Sequence, residues 1–403
     1  MNRFDMTYFY GPPAGQVVRP EVLGDILASG VTLLPLFADT KTNRETLRLL
    51  AELDGNARAN VFDPRFRELY LSEDAAAVDS VVKAVVEDYR GFDNIAGWDI
   101  VDEPGAANFP ILGEIVAALR KYSPEKETVI NLFPNYATQE QLGTPDYEQY
   151  LEEFIRVVKP DFLSYDHYHF LGRDAQKQDA GEVEERERLI REAAQRTDER
   201  PGFFANAEIV RTVSQRRGIP AMMIALLVEH GPYRNLTREE LLWEANMCLC
   251  YGFKRLSYFT YWEPEHDDFW RWTNAMCDTE GKKTQHYYDV QTITSALCPV
   301  GEYLYPLRST QVYHLGSAEP GCRVLSGPAD GLPAIEGEDG VVGCFEDGSF
   351  YLVNRSFLEE NSFVIRSERV SRFDPEQREF APLSPEDGCV RVRLGAGEGV
   401  LLR

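Results

Sequence analysis

The sequence predicts an α/β fold: a (β/α)8 barrel over residues 1–306 followed by a small C-terminal β-sandwich over residues 308–403. Three observations predict it. Up to about residue 300, short apolar runs alternate with segments of helical period, and eight such runs occur. After residue 308 the helical period stops and short alternating stretches appear between turn residues. The 403 residues, 43% apolar and 12% aromatic, suffice for one large barrel and a smaller companion.

The eight candidate strands are Thr7–Tyr10, Leu33–Phe37, Ala59–Phe62, Ile95–Val101, Thr128–Phe133, Asp161–Tyr165, Ala221–Val228 and Leu256–Tyr261. Most have the length of a strand buried on both faces. Helix punctuation fills the intervals. Thr42 and Glu45 stand at capping-box spacing before Leu47 and Leu50, with Gly55 placed to end that helix. Val78, Val81, Val82, Val85, Val86 and Tyr89 form one stripe at helical spacing. Thr144-Pro145-Asp146 supplies a cap, a first-turn proline and an acid, and Thr237 with Glu240 repeats the capping box. Arg173–Arg200, dense in Glu and Arg, reads as a solvated helix with ion pairs, and Val290–Leu304 as the last barrel helix. An open nucleotide-binding sheet is the competing architecture. It needs amide donors after its first strand, whereas Gly11-Pro12-Pro13-Ala14-Gly15 carries two prolines there. The barrel is preferred.

In the C-terminal part, Asp347-Gly348 marks a hairpin between Gly343–Glu346 and Ser349–Asn354. Phe363–Arg366, Arg372–Asp374, Cys389–Leu394 and Gly399–Leu402 continue the pattern. No exposed aromatic row is evident, so this region is expected to pack or to form a homo-oligomer, not to bind sugar by itself.

Charge narrows the partners. Against 42 Lys and Arg stand 66 Asp and Glu, a formal −24, which repels nucleic acid and anionic lipid. No run of 18 apolar residues occurs, and Met1–Asp5 lacks the apolar core of a secretion signal, so a cytoplasmic protein is expected unless a signal was removed upstream. Seven cysteines without CxxC spacing read as reduced thiols, not as a disulfide frame or zinc site. No cofactor is expected.

In a barrel of this type, chemistry sits at the C-terminal strand ends. The fourth candidate strand ends in Asp102-Glu103-Pro104, two carboxylates that are costly to desolvate. They either cap the next helix and pair with Arg or Lys, or they form a site. The sixth ends in Ser164-Tyr165-Asp166-His167-Tyr168, and the eighth in Tyr258-Phe259-Thr260-Tyr261-Trp262.

In order and spacing these motifs resemble the clan of retaining (β/α)8 glycoside hydrolases, which includes cellulase-type enzymes and bacterial β-galactosidases. There Asn-Glu-Pro follows the fourth strand and a second Glu follows the seventh. The resemblance covers essentially the whole chain. It implies that Glu103 is the general acid/base, protonating the glycosidic oxygen and then deprotonating the attacking water. It implies Glu229 as nucleophile, the only acid between Pro220 and Thr237. Glu229 lies farther from Pro220 than the clan's nucleophile does from its strand's proline, and Asp166 is the substitute. Asp102 replaces the clan's Asn at the sugar 2-hydroxyl; a carboxylate accepts that bond but cannot donate one.

For the sugar, Asn135 with Tyr136 is preferred over Asn131 as hydroxyl binder, beside His167 and Tyr168. Tyr261 and Trp262 would form the ring platform, while Trp270 and Trp272 read equally well as loop packing. His167 and His169 also invite a metal reading, but metal-dependent barrels carry His-x-His on the first strand, which here is Thr7-Tyr8-Phe9-Tyr10, so no metal is assigned. The expected protein is a retaining β-glycosidase acting on a short oligosaccharide or a terminal β-galactoside or β-glucoside. The alternative is a non-catalytic carbohydrate-binding barrel without the standard nucleophile.

Overall fold

The computed structural model describes residues 3–172, 199–266, 271–329 and 331–403. Eight parallel strands form one sheet: Asp5–Tyr8, Leu33–Leu36, Arg58–Phe62, Ile95–Asp102, Glu127–Leu132, Leu163–Asp166, Ala221–Leu226 and Arg255–Phe259. The ladder runs from the second strand in chain order to the eighth, which pairs with the first at Thr7 against Ser257. Thr32 closes the ring between the first two strands. Its N–H donates to Met6 O at 2.8 Å, and Met6 N–H donates to Thr32 Oγ1 at 3.1 Å. The predicted (β/α)8 barrel is therefore present.

Several strands stop short of their apolar runs. Leu227 and Val228 both donate to Phe259 O, at 2.8 and 2.9 Å, so the chain leaves the ladder after Leu226. Apolar character continues into the loops because they too are covered, so hydrophobicity overstates the strand there.

The helix starts follow side-chain oxygens. Thr237 and Glu240 form the predicted box, with Thr237 N–H to Glu240 Oε2 at 2.8 Å and Glu240 N–H to Thr237 Oγ1 at 3.3 Å. Two other caps differ from expectation. Asp39 caps Thr40–Leu53, accepting from Thr42 N–H at 3.0 Å, while Glu45 pairs with Arg48. Asp146, not Thr144, caps Tyr147–Val158 through Gln149 N–H at 2.8 Å. In both places a carboxylate outcompetes the hydroxyl, and the helix starts where that carboxylate stands. Val78, Val82 and Val85 are buried on one face of Ala75–Asp88, and Tyr89 meets Trp98 edge-on at 5.6 Å. The segment expected as an ion-paired helix across Arg173–Arg200 lies outside the described residues except for Glu199 and Arg200.

Beyond the last barrel helix, Gln285–Leu304, the chain forms a seven-stranded and a three-stranded sheet. Gly340–Phe345 and Phe350–Asn354 pair antiparallel about the Asp347-Gly348 turn. Leu352 and Phe350 from one sheet share a core with Phe363, Ile365 and Val390 from the other. The opposite face of the larger sheet packs on the helix Arg238–Cys250, where Tyr351 OH donates to Asn246 Oδ1 at 2.6 Å and Asn246 Nδ2 to Gly397 O at 2.8 Å. Ten residues of that helix are buried, apolar and polar alike, as expected of a helix enclosed on both sides. Among the described residues no helix is long and apolar enough to cross a membrane.

Candidate active site

The fourth strand changes register between Asp99 and Asp102, which brings Asp102 opposite Asn131 of the fifth. Next comes Glu103 at φ 46°, a left-handed conformation uncommon outside glycine, with its N–H held on Asn131 O at 2.9 Å. Backbone held in this sparsely populated region tends to cluster where a side chain must be aimed. Asn131 ties three strand ends together. Its Nδ2 donates to Asp102 Oδ1 at 3.0 Å and to Asp166 Oδ1 at 2.9 Å, and its Oδ1 accepts from Ser164 Oγ at 2.9 Å.

Asp102, Glu103 and Asp166 thus meet at the barrel's C-terminal end. Burial pushes the Glu103 carboxyl up to about 9, reinforced by the charges of Asp166 and then Asp102. Burial likewise raises Asp166 to about 7, with Asp102 adding to it and Asn131 and Arg200 opposing. Loss of water around its carboxyl raises Asp102 against its bond from Asn131, although the residue as a whole is exposed. At neutral pH the cluster therefore holds a proton, and Glu103 is its strongest holder. Tyr168 feels the same charges: burial lifts its phenol far above the usual range, and Asp166 and Asp102 lift it further.

Glu229 is positioned differently. Glu229–His230 pairs with Trp272–Thr273 in a short ribbon beyond the seventh strand. There the Glu229 carboxylate accepts from Thr273 Oγ1 at 3.0 Å and from Asn274 Nδ2 at 2.9 Å. The end of the seventh strand itself carries Leu226, Leu227 and Val228, all buried. Asp166 and Glu103 are both bound to Asn131, one through its side chain and one through its backbone, while the contacts of Glu229 are Thr273 and Asn274.

The predicted sugar contacts divide similarly. Trp262 is 3% exposed, and its ring fills the space where a Cβ on Gly281 would stand, 2.3 Å away, so it presents no open face. Tyr261 packs on Tyr8 with centroids 5.1 Å apart. The partly exposed ring at the eighth strand's end is Phe259, stacked on Tyr168 at 5.5 Å and 23°. Asn135 is used for loop structure, its N–H on Asn206 Oδ1 at 2.7 Å and its Nδ2 on Gly202 O at 3.0 Å. Buried His167 lies edge-on to Tyr136 at 5.0 Å. Both ring nitrogens of His169 are engaged, with Arg200 O and Glu199 Oε2, each at 3.0 Å. Trp272 stacks on His230 at 4.4 Å, while Trp270 lies outside the described residues.

Asn131, Arg200 and Phe259 are therefore the site residues that sequence reasoning undervalued. Asn131 did carry a signal: it is the one polar side chain within the apolar end of its strand. Arg200, 3% exposed, donates through Nε to Tyr168 O at 3.2 Å and stands 4.0 Å over the Tyr136 ring. Beside Asp102 and Asn131 a cavity of about 430 Å³ opens into the barrel.

No protein-family model and no curated protein matches the chain. Solved structures share its fold. A β-galactosidase from Bacillus circulans sp. alkalophilus superposes with a TM-score of 0.63 at 8% identity, covering 100% of this chain and 99% of that one. A family 5 glycoside hydrolase from Bacteroides vulgatus gives 0.57 at 11% identity, covering 99% and 89%. With a β-galactosidase from Marinomonas ef1 the TM-score is 0.50 at 9% identity, and the match covers 75% of this chain and 62% of that one. The architecture, barrel plus β-rich C-terminal part, is shared with these solved structures.

Proposed function

We propose that this chain is a glycosidase that cleaves a β-glycosidic bond with Glu103 and Asp166 as its two working carboxylates. The observation that carries this is the meeting of Asp102, Glu103 and Asp166 at the strand ends, where Asn131 binds Asp102 and Asp166 and holds the Glu103 backbone. Likeness of fold to glycoside hydrolases supports it.

In the double displacement, Asp166 attacks the anomeric carbon as the C–O bond breaks, and Glu103 gives its proton to the departing oxygen, which leaves as an alcohol. Water, deprotonated by Glu103, then attacks the same carbon, releasing the sugar and the Asp166 carboxylate. Asn131 orients Asp166, and the Tyr168 and Phe259 rings offer the apolar faces that sugar C–H groups stack on. The likeness of fold to β-galactosidases favours a terminal β-galactoside or β-glucoside, or a short oligosaccharide, as the substrate.

A panel of aryl β-glycosides tests the reading with the wild type and the variants Glu103→Gln, Asp166→Asn and Glu229→Gln. Activated leaving groups should rescue the Glu103 variant in part and the Asp166 variant not at all. Full activity without the Asp166 carboxylate, together with loss in the Glu229 variant, would return the nucleophile to Glu229. The apolar end of the seventh strand favours one second reading, a carbohydrate-binding barrel without turnover. A wild type that binds sugars but hydrolyses none of the panel would establish it.

A further inference from the structure

Barrels of this class fill their bore with layers of bulky branched side chains. Here all eight strands contribute to a cavity of about 430 Å³ that occupies the bore and opens past Arg67, Tyr70 and Leu71. Thr7, Pro35, Ser164 and Ser257 stand at inward positions and are too small to close it. Its walls are mainly apolar: Leu33, Phe62, Val101, Val129, Met222 and Ile224. A sugar ring would lose most of its hydroxyl hydrogen bonds against such walls, so this space does not suit a sugar.

The inner end is polar and incompletely satisfied. Arg255 is 4% exposed, lies 4.4 Å over the Phe162 ring and donates from Nη2 to Glu127 at 2.5 Å, yet its Nε and Nη1 have no partner. Asn60, also 4% exposed, donates to Asp99 at 3.3 Å while its Oδ1 accepts nothing. Buried donors and acceptors left unmade are costly, and Arg255 and Asn60 both line this cavity, where a ligand hydroxyl would find a free donor or acceptor. At the outer end, Asp102 and Asn131 belong both to the cavity wall and to the carboxylate cluster.

We propose that the bore is a second binding compartment, taking an apolar aryl group that ends in a hydroxyl, as the phenol-like aglycone of the glycoside cleaved above it. That the group is an aglycone rests on the glycosidase reading; that the bore binds a phenol does not. Specificity would then reside in the leaving group as much as in the sugar.

Calorimetric titration of the full chain with 4-ethylphenol and with ethylbenzene tests the compartment. Saturable 1:1 binding of the phenol, at least about tenfold tighter than that of ethylbenzene, is expected. Ser257→Leu and Val129→Phe fill the bore from different strands and should each weaken phenol binding by about tenfold or more, with circular dichroism verifying the fold. Absence of phenol binding to the wild type overturns the proposal, as does undiminished binding in a folded filled variant. Equal affinity for ethylbenzene overturns the assigned polar end. Hydrolysis of 4-hydroxyphenyl and methyl β-glycosides then separates the two ideas. A lower KM for the aryl substrate, lost on filling the bore, supports the aglycone role. Phenol binding without turnover of either glycoside leaves the compartment standing and removes the glycosidase reading, and with it the aglycone role.

Discussion

Replacing Glu103 by Gln should change how stability depends on pH, in a direction the site fixes in advance. The carboxyl is held near 9, against an ordinary value of 4.5, by burial and by the charges of Asp166 and Asp102. Between those two values the folded chain keeps a proton that the unfolded chain has released. The contribution of Glu103 is therefore fully favourable below about pH 4.5 and is lost progressively as pH rises towards 9. Each pH unit in that window corresponds to about 1.4 kcal/mol, so raising pH from about 5 to about 7.5 costs the wild type at most about 3 kcal/mol through this group. Gln carries no such proton, and its shape preserves the packing. Asp102 and Asp166 are also raised, so both proteins weaken on alkalinisation; only their difference reports on Glu103. Urea unfolding of both at the two pH values measures it. Parallel pH profiles, with the variant gaining nothing at the higher pH, would refute the argument that Glu103 is buried as the neutral acid.

Four further outcomes follow from the structure. On an aryl β-glycoside, kcat/KM should peak between about pH 7, where Asp166 ionises, and about pH 9, where Glu103 loses its proton. Asp102→Asn, by removing one of the charges that raise Glu103, should pull the alkaline limb of that profile down, and an unmoved limb would show that Asp102 does not act on the acid. Thr237→Ala deletes one of the two reciprocal bonds of the capping box and should cost about 1 kcal/mol in urea unfolding. Gly343→Ala would set a methyl 1.9 Å from Cys250 O and should destabilise by about 3 kcal/mol, whereas Gly327→Ala, with open space around it, should stay within about 0.5 kcal/mol by the same measurement.

Much of the fold is legible in the sequence, because a strand buried on both faces needs a short apolar run and little else. The rhythm of such runs up to Leu256–Tyr261 is enough to recognise the barrel. Their ends are less legible. Leu227 and Val228 look like strand, yet both turn out to bond to Phe259 O, and that turn carries Glu229 into its ribbon with Thr273. Asp102 and Glu103 could be found because adjacent carboxylates after an apolar strand are conspicuous. Asn131 stands out as a lone polar side chain in the apolar end of its strand, but only the register shift at Asp102 shows which carboxylate it meets. Trp262 illustrates the limit of residue type: a Trp at a strand end can lie open or be packed away, and the bare Cα of Gly281, 19 positions later, decides for packing.

The contact between the C-terminal sheet and the barrel has a consequence for the order of synthesis. Val312, Val341, Tyr351, Val353 and Leu401 belong to the same apolar cluster as Leu241, Met247 and Cys250 of the helix before the eighth strand. Trp243 on that helix, only 1% exposed in the finished chain, donates to Arg355 O at 2.8 Å. A chain emerging from the ribosome completes its barrel strands at Phe259 but has nothing yet to cover this helix. Until the strand Gly399–Leu402 arrives, the nascent molecule carries a bare apolar strip along one side. The barrel is closed by its eighth strand, but this flank is covered only once Gly399–Leu402 has been made.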